Sequence, residues 1–114
     1  MGASRKDLRR FPREVRRDIG IALDAAQLGE LDPNAKPFKG FHGASVIEIR
    51  ASFRTDTYRA VYTVHFGDVI YVLHAFQKKA THGIATPKRE MEVIKARLRQ
   101  AEEIHRASEE GQAR

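Results

Sequence analysis

The 114-residue sequence predicts a single α+β domain over 1–114: two N-terminal helices, an antiparallel meander of three to four strands, and a C-terminal helix packed on the sheet. Three observations predict it. Apolar residues recur at helical spacing before residue 30 and again after residue 86. Between them, β-branched and aromatic residues concentrate in three short runs. The connections between those runs are only a few residues long, which favours hairpins over parallel crossovers.

Composition agrees with a small folded domain. The chain is 41% hydrophobic and 32% charged, so it can bury a core and still carry a polar surface. No run approaches the ~18 apolar residues of a membrane helix. The first ten residues, MGASRKDLRR, are charged and lack the apolar segment of a signal peptide. Cysteine is absent, which excludes a disulfide framework and thiolate-bound zinc. A cytoplasmic location and no cofactor are the simplest expectations.

The elements follow in order. Ser4 is placed to cap a first short helix, with Asp7 three residues on as in a capping box. Pro12 suits the first turn of a second helix. Val15, Ile19, Ala22, Leu23 and Ala26 form its apolar stripe, and Gly29 suits its C-cap. Gly20 inside that helix costs ~1 kcal/mol relative to alanine, which close packing would explain. The opposite face carries Arg13, Arg16, Arg17 and Asp24. The plain reading of that face is a solvated surface; the alternative is a contact with nucleic acid or a partner.

Residues 31–43, LDPNAKPFKGFHG, read as a loop, with Phe38 and Phe41 anchoring it to the core. Residues 45–51 alternate: Val46, Glu48 and Arg50 share a polar face, with Ile47 and Ile49 opposite. After a turn at 53–56, a second strand spans 57–66, with Tyr58, Ala60 and Tyr62 on one face and Arg59, Val61 and Thr63 on the other. Gly67-Asp68 fits a two-residue hairpin turn. The third strand, 69–76, is apolar on both faces, so it should be central or covered on both sides. Thr86 and Pro87 open the last helix as N-cap and first position. Its apolar stripe is Met91, Ile94, Leu98 and Ala101, then Ile104 or His105, and residues 107–114 should fray.

Net charge is +6 and the sequence pI is near 10.0, which favours an acidic partner such as nucleic acid. Residues 1–20 hold seven Lys and Arg against three acids. Residues 36–82 hold seven more against three, ending at Lys78 and Lys79. The five histidines form no metal-binding spacing, and neither a phosphate-binding loop nor a nucleophile elbow is present. What remains is basic and aromatic: Arg50, Arg59, Tyr58, Tyr62, His74, Lys78 and Lys79. Metal-free RNA cleavage needs a base for the 2′-hydroxyl, an acid for the leaving 5′-oxygen, and cations for the charged phosphorane. This set offers all three. Each member also has a plainer reading: His74 as a packed core histidine, Arg50 as the ion-pair partner of Glu48, and the lysines as a solvated loop.

A family resemblance sharpens the choice. The ordered segments E-I-R (48–50), Y-R-A-V-Y (58–62), V-L-H-A-F-Q-K-K-A-T (72–81), T-P-K-R-E (86–90) and A-R (96–97) resemble the phage-derived, HigB-like toxins of the RelE/ParE superfamily. K-P-F-K-G (36–40) is similar to the turn that precedes them there. Ile49 and Ala80 depart mildly from the family pattern. The resemblance implies a RelE-like fold, a helix-turn-helix antitoxin as partner, and cleavage of mRNA on the ribosome. It places Arg50, Arg59, Lys78 and Lys79 at recurrent basic positions. The expected site is therefore Arg50, Arg59, His74, Lys78 and Lys79 for catalysis, with Tyr62, Lys39 and Arg54 contacting RNA. Two other readings stand beside it: a non-enzymatic, ParE-like poison of DNA gyrase, and a phage-derived binding module without toxicity.

Overall fold

The computed structural model describes residues 2–38, 46–63, 69–78 and 88–112. Helix α1 (Gly2–Arg9) and helix α2 (Arg13–Gln27) are followed by strands β1 (Ala35–Pro37), β2 (Val46–Phe53), β3 (Asp56–Thr63) and β4 (Val72–Lys78), then helix α3 (Lys88–Gln112). The strands form one antiparallel sheet in sequence order, β1-β2-β3-β4. The fold is thus the predicted α+β arrangement, compatible with a RelE-like fold. Among the described residues no helix is long and apolar enough to cross a membrane.

Two helices cover opposite faces of this sheet. The periodic stripe of α2 buries Val15, Ile19, Ala22 and Ala26 against Ile47, Ile49, Ala51, Tyr58, Ala60 and Tyr62. On the other face Ile94 and Ala101 of α3, with Leu98, pack on Val46, Val61, Leu73 and Phe76. At the far end of the α3 stripe it is His105 that turns inward, edge-on to Tyr71, while Ile104 stays half exposed. Between the layers, α1 runs along β4. Its Leu8 packs on the α2-side cluster, and its Ser4 accepts a hydrogen bond from Arg97 of α3. A helix laid against an outer strand shields backbone groups that would otherwise template pairing with another chain. The opposite edge, β1, is only three residues long and ends in a proline.

Several local expectations change. Ser4 is not a cap: it lies inside α1 and is fully buried, so a small hydroxyl is needed where α1 meets α3. Pro12 is the N-cap of α2 rather than its first residue. Gly29 sits one place beyond the C-cap Leu28, at φ +79°, with Gly29 N–H bonding Ala26 O and Glu30 N–H bonding Ala25 O. That pair of bonds is a Schellman motif, and glycine meets its left-handed requirement. Gly20 does not mark close packing, because a Cβ there would meet nothing within 4 Å.

The 31–43 stretch hides β1. Asp32 caps the turn by accepting from Asn34 N–H at 2.8 Å, and Ala35 N–H bonds Asp32 O, which aims Ala35–Pro37 along β2. Phe38 packs on the α3-side cluster as an anchor should, while Phe41 lies outside the described residues. The third predicted strand is covered on both sides but is not central; β2 and β3 are the inner strands. Its alternation also breaks. A register shift opposite Val61 and Tyr62 lets Val72 face the α2 layer with Tyr62, while Leu73 joins the α3 layer and His74 pairs with Val61. The Gly67-Asp68 turn and the Thr86-Pro87 helix start lie outside the described residues. The last helix does not stop near 107 but continues to Gln112.

Candidate functional site

The α3-side face of the sheet carries three cross-strand rows. Antiparallel partners point to the same side, so the register fixes the neighbours. Glu48, Val61 and His74 form one row; Arg50, Arg59 and Phe76 form the next; Ser52, Thr57 and Lys78 form the third. Arg50 and Arg59, nine residues apart around a hairpin, are thus directly opposed. Two guanidinium groups face to face repel, and a carboxylate resolves it. Glu48 accepts from Arg50 Nε at 2.7 Å with one oxygen and from Arg59 Nη1 at 3.2 Å with the other. The side chains of Glu48 and Arg59 are each only 5% exposed, whereas that of Arg50 is 50% exposed. Glu48 therefore anchors one arginine inside the sheet face and holds the other, half exposed, through its Nε.

The adjoining row is closed by α3. His74 stacks on Phe76 with centroids 5.2 Å apart, and its Nε2 bonds the carboxylate of Glu90 in the first turn of α3. Its Nδ1 is 3.0 Å from Arg97 Nη1, which also donates to Leu73 O at 3.0 Å and to Ser4 Oγ at 3.4 Å. Asp7 of α1 stands 3.9 Å from the same Nδ1. An arginine can only donate, so Nδ1 accepts and Nε2 carries the proton given to Glu90. His74 is thereby the junction of α1, β4 and α3. Both of its ring nitrogens are engaged within the protein.

With this geometry in place the comparisons take on meaning. Residues 6–99 match a family described as phage-derived protein Gp49-like (DUF891). The chain belongs to the Gp49-like family. That family falls in the RelE/toxin-like group. No curated protein and no solved structure matches the chain.

The Gp49-like sheet brings together some of the expected residues and separates others. Arg50, Arg59 and His74 share the α3-side face, with the Lys78 backbone in the next row. Lys79 and Lys39 lie outside the described residues. Arg54 is exposed in the β2–β3 turn at φ 59°, with its guanidinium 5.3 Å from the Phe53 ring centroid. Tyr62 contradicts its expected role as an RNA contact. It is 0% exposed, on the α2 side of the sheet, and cannot stack on a base. Its hydroxyl has no hydrogen-bond partner among the described residues. Burial, and secondarily the Asp32 carboxylate, raise its pKa above the ordinary phenol value. Tyr58 is buried in the same layer.

Glu48 pairs with Arg50 as one sequence reading had it and bonds Arg59 as well, while two residues gained a role that sequence reasoning did not assign: Glu90 and Arg97. Each sat inside a quoted motif. Glu90 and Arg97 are seven apart, two helical turns, and so share the α3 face that carries Ile94 and Ala101. A pair of opposite charges on an apolar helical stripe is the signal that would have found them. Among the described residues no group of three or more His, Asp or Glu is placed to hold a metal ion.

Proposed function

We propose that this Gp49-like protein is the toxin of a type II toxin–antitoxin pair, a HigB-like, ribosome-dependent and metal-independent mRNA endoribonuclease. The observation that carries the reading is the acid-locked arginine pair: a half-exposed Arg50 held by a buried Glu48 beside a buried Arg59. Arg50 would grip a phosphate through its terminal nitrogens, and Arg59 would add positive potential from beneath. The 2′-oxygen attacks the adjacent phosphorus and the P–O5′ bond breaks, giving a cyclic phosphate and a 5′-hydroxyl. The 2′-hydroxyl proton must leave to a base and the 5′-oxygen must gain one. Lys78 and Lys79 are the assigned cations and proton carriers. His74 is assigned to framing the site, since Arg97 must leave Nδ1 before that nitrogen can act as a base. A helix-turn-helix antitoxin would be the physiological inhibitor.

Adding purified protein to translating ribosomes tests the reading. Cut mRNA is expected, and Arg50→Ala should lose at least ~10²-fold in rate if Arg50 stabilises the transition state. Uncut mRNA overturns it. One observation favours a second, non-enzymatic reading: among the described residues of this face, His74 and Glu48 are enclosed and already bonded. A ParE-like gyrase poison needs no base. Inhibition of gyrase supercoiling without RNA cleavage would select it.

A further inference from the structure

The first two helices carry exposed cations that the cleft does not use. Arg5, Lys6, Arg9, Arg10, Arg13, Arg16 and Arg17 are all exposed. The inward positions of the same helices are Ser4 and Leu8, then Phe11, Val15 and Ile19, so the cations lie along the outward side. Of the three acids in this stretch, Asp7 turns inward toward His74, which leaves Glu14 and Asp18 to offset seven positive charges. None of the seven forms an ion pair among the described residues.

This arrangement works against the local helix. Arg9 and Arg13 flank the start of α2, and Arg13, Arg16 and Arg17 follow within its first five residues, where the helix dipole favours anions. Arg13 and Arg17 are like charges four apart, and such pairs also destabilise a helix. Pro12 supplies no side-chain cap to the first-turn N–H groups. An incoming phosphate relieves all three costs together. A row of phosphates suits the surface better than one, since the cations continue from α1 into α2.

We propose that the exposed cations of α1, α2 and the short link between them form a second RNA-binding surface, which holds the phosphate backbone of folded RNA while the sheet face engages the strand to be cut. The choice of RNA among polyanions rests on the RNA-directed reading above; the surface itself does not. Such contacts carry no base specificity, and they make binding strongly salt-dependent.

The probe is a fluorescent RNA hairpin with every 2′-hydroxyl methylated, which cannot be cleaved through its 2′-oxygen. Its affinity is read by anisotropy across a salt series. The test variant is Arg9→Gln/Arg13→Gln/Arg16→Gln, with glutamine keeping helix propensity and thermal melting confirming the fold. The triple variant should lower the magnitude of the log–log salt slope by roughly 2 to 3. An unchanged slope overturns the proposal. So does an acidic peptide of equal charge that displaces the RNA as well as unlabelled hairpin does, because the surface would then serve an acidic protein. A parent that binds the hairpin through these arginines yet leaves mRNA uncut removes the nuclease reading and keeps this one.

Discussion

Replacing Glu48 with alanine should cost about 3–5 kcal/mol of folding stability, because it breaks a buried ion pair by removing one partner. The magnitude follows from the two arms of the Glu48 bridge. The arm to Arg50 ends on a side chain that is 50% exposed, and exposed ion pairs contribute only about 0.2–1 kcal/mol. The arm to Arg59 joins two side chains each 5% exposed, so loss of the carboxylate takes a counter-charge from a guanidinium that water scarcely reaches. For a domain whose total stability is on the order of 5–15 kcal/mol, that loss is a large fraction. Arg50→Ala should therefore cost under about 1 kcal/mol by the same reasoning. The double variant Glu48→Ala/Arg59→Met should recover most of the loss, since a buried pair can be replaced by apolar groups at little cost. Urea denaturation with an unchanged m-value measures all three. A Glu48→Ala variant within about 1 kcal/mol of the parent would refute the reasoning, as would a double variant less stable than the single.

The two glycines of the second helix should respond in opposite directions. Gly20→Ala places a methyl where nothing lies within 4 Å, and should stabilise by about 0.5–1 kcal/mol. Gly29→Ala meets no atom either but must hold φ +79°, and should destabilise by about 1 kcal/mol; thermal melting reads both. Tyr62→Phe removes a buried hydroxyl that has no partner among the described residues and should stabilise by about 1 kcal/mol without altering RNA cleavage. Tyr62 keeps its proton to higher pH when folded than when unfolded, so its contribution is intact below pH ~10 and is lost as pH rises through the folded value. The parent should thus lose stability above pH ~10 more steeply than Tyr62→Phe, as seen in urea midpoints across alkaline pH. Arg97→Met removes the shared donor of Ser4, Leu73 and His74, and should cost about 1–3 kcal/mol with faster amide exchange in α1.

Much of this molecule is written locally. The stripe Val15, Ile19, Ala22, Ala26 dictates which side of α2 is buried, and the alternation of Tyr58 to Thr63 dictates the two sides of β3. Periodicities of 3.6 and 2 are properties of the backbone, so they can be read before any contact is known.

What the tertiary structure decided is pairing. Register sets Arg50 opposite Arg59, and only that opposition makes Glu48 the buried bridge between them rather than a solvated acid. The shift in β4 opposite Tyr62 overrode simple alternation, which put Val72 and Leu73 where sequence parity would not. The α3 helix then closed over His74, turning a candidate base into the junction of three elements. Tyr62 shows the same limit from the other side: an aromatic in a basic motif reads as a nucleotide contact, yet its parity with Ile47 buries it beneath α2. Periodicity names the face a residue lies on; only long-range packing decides whether that face meets water, a helix or a ligand.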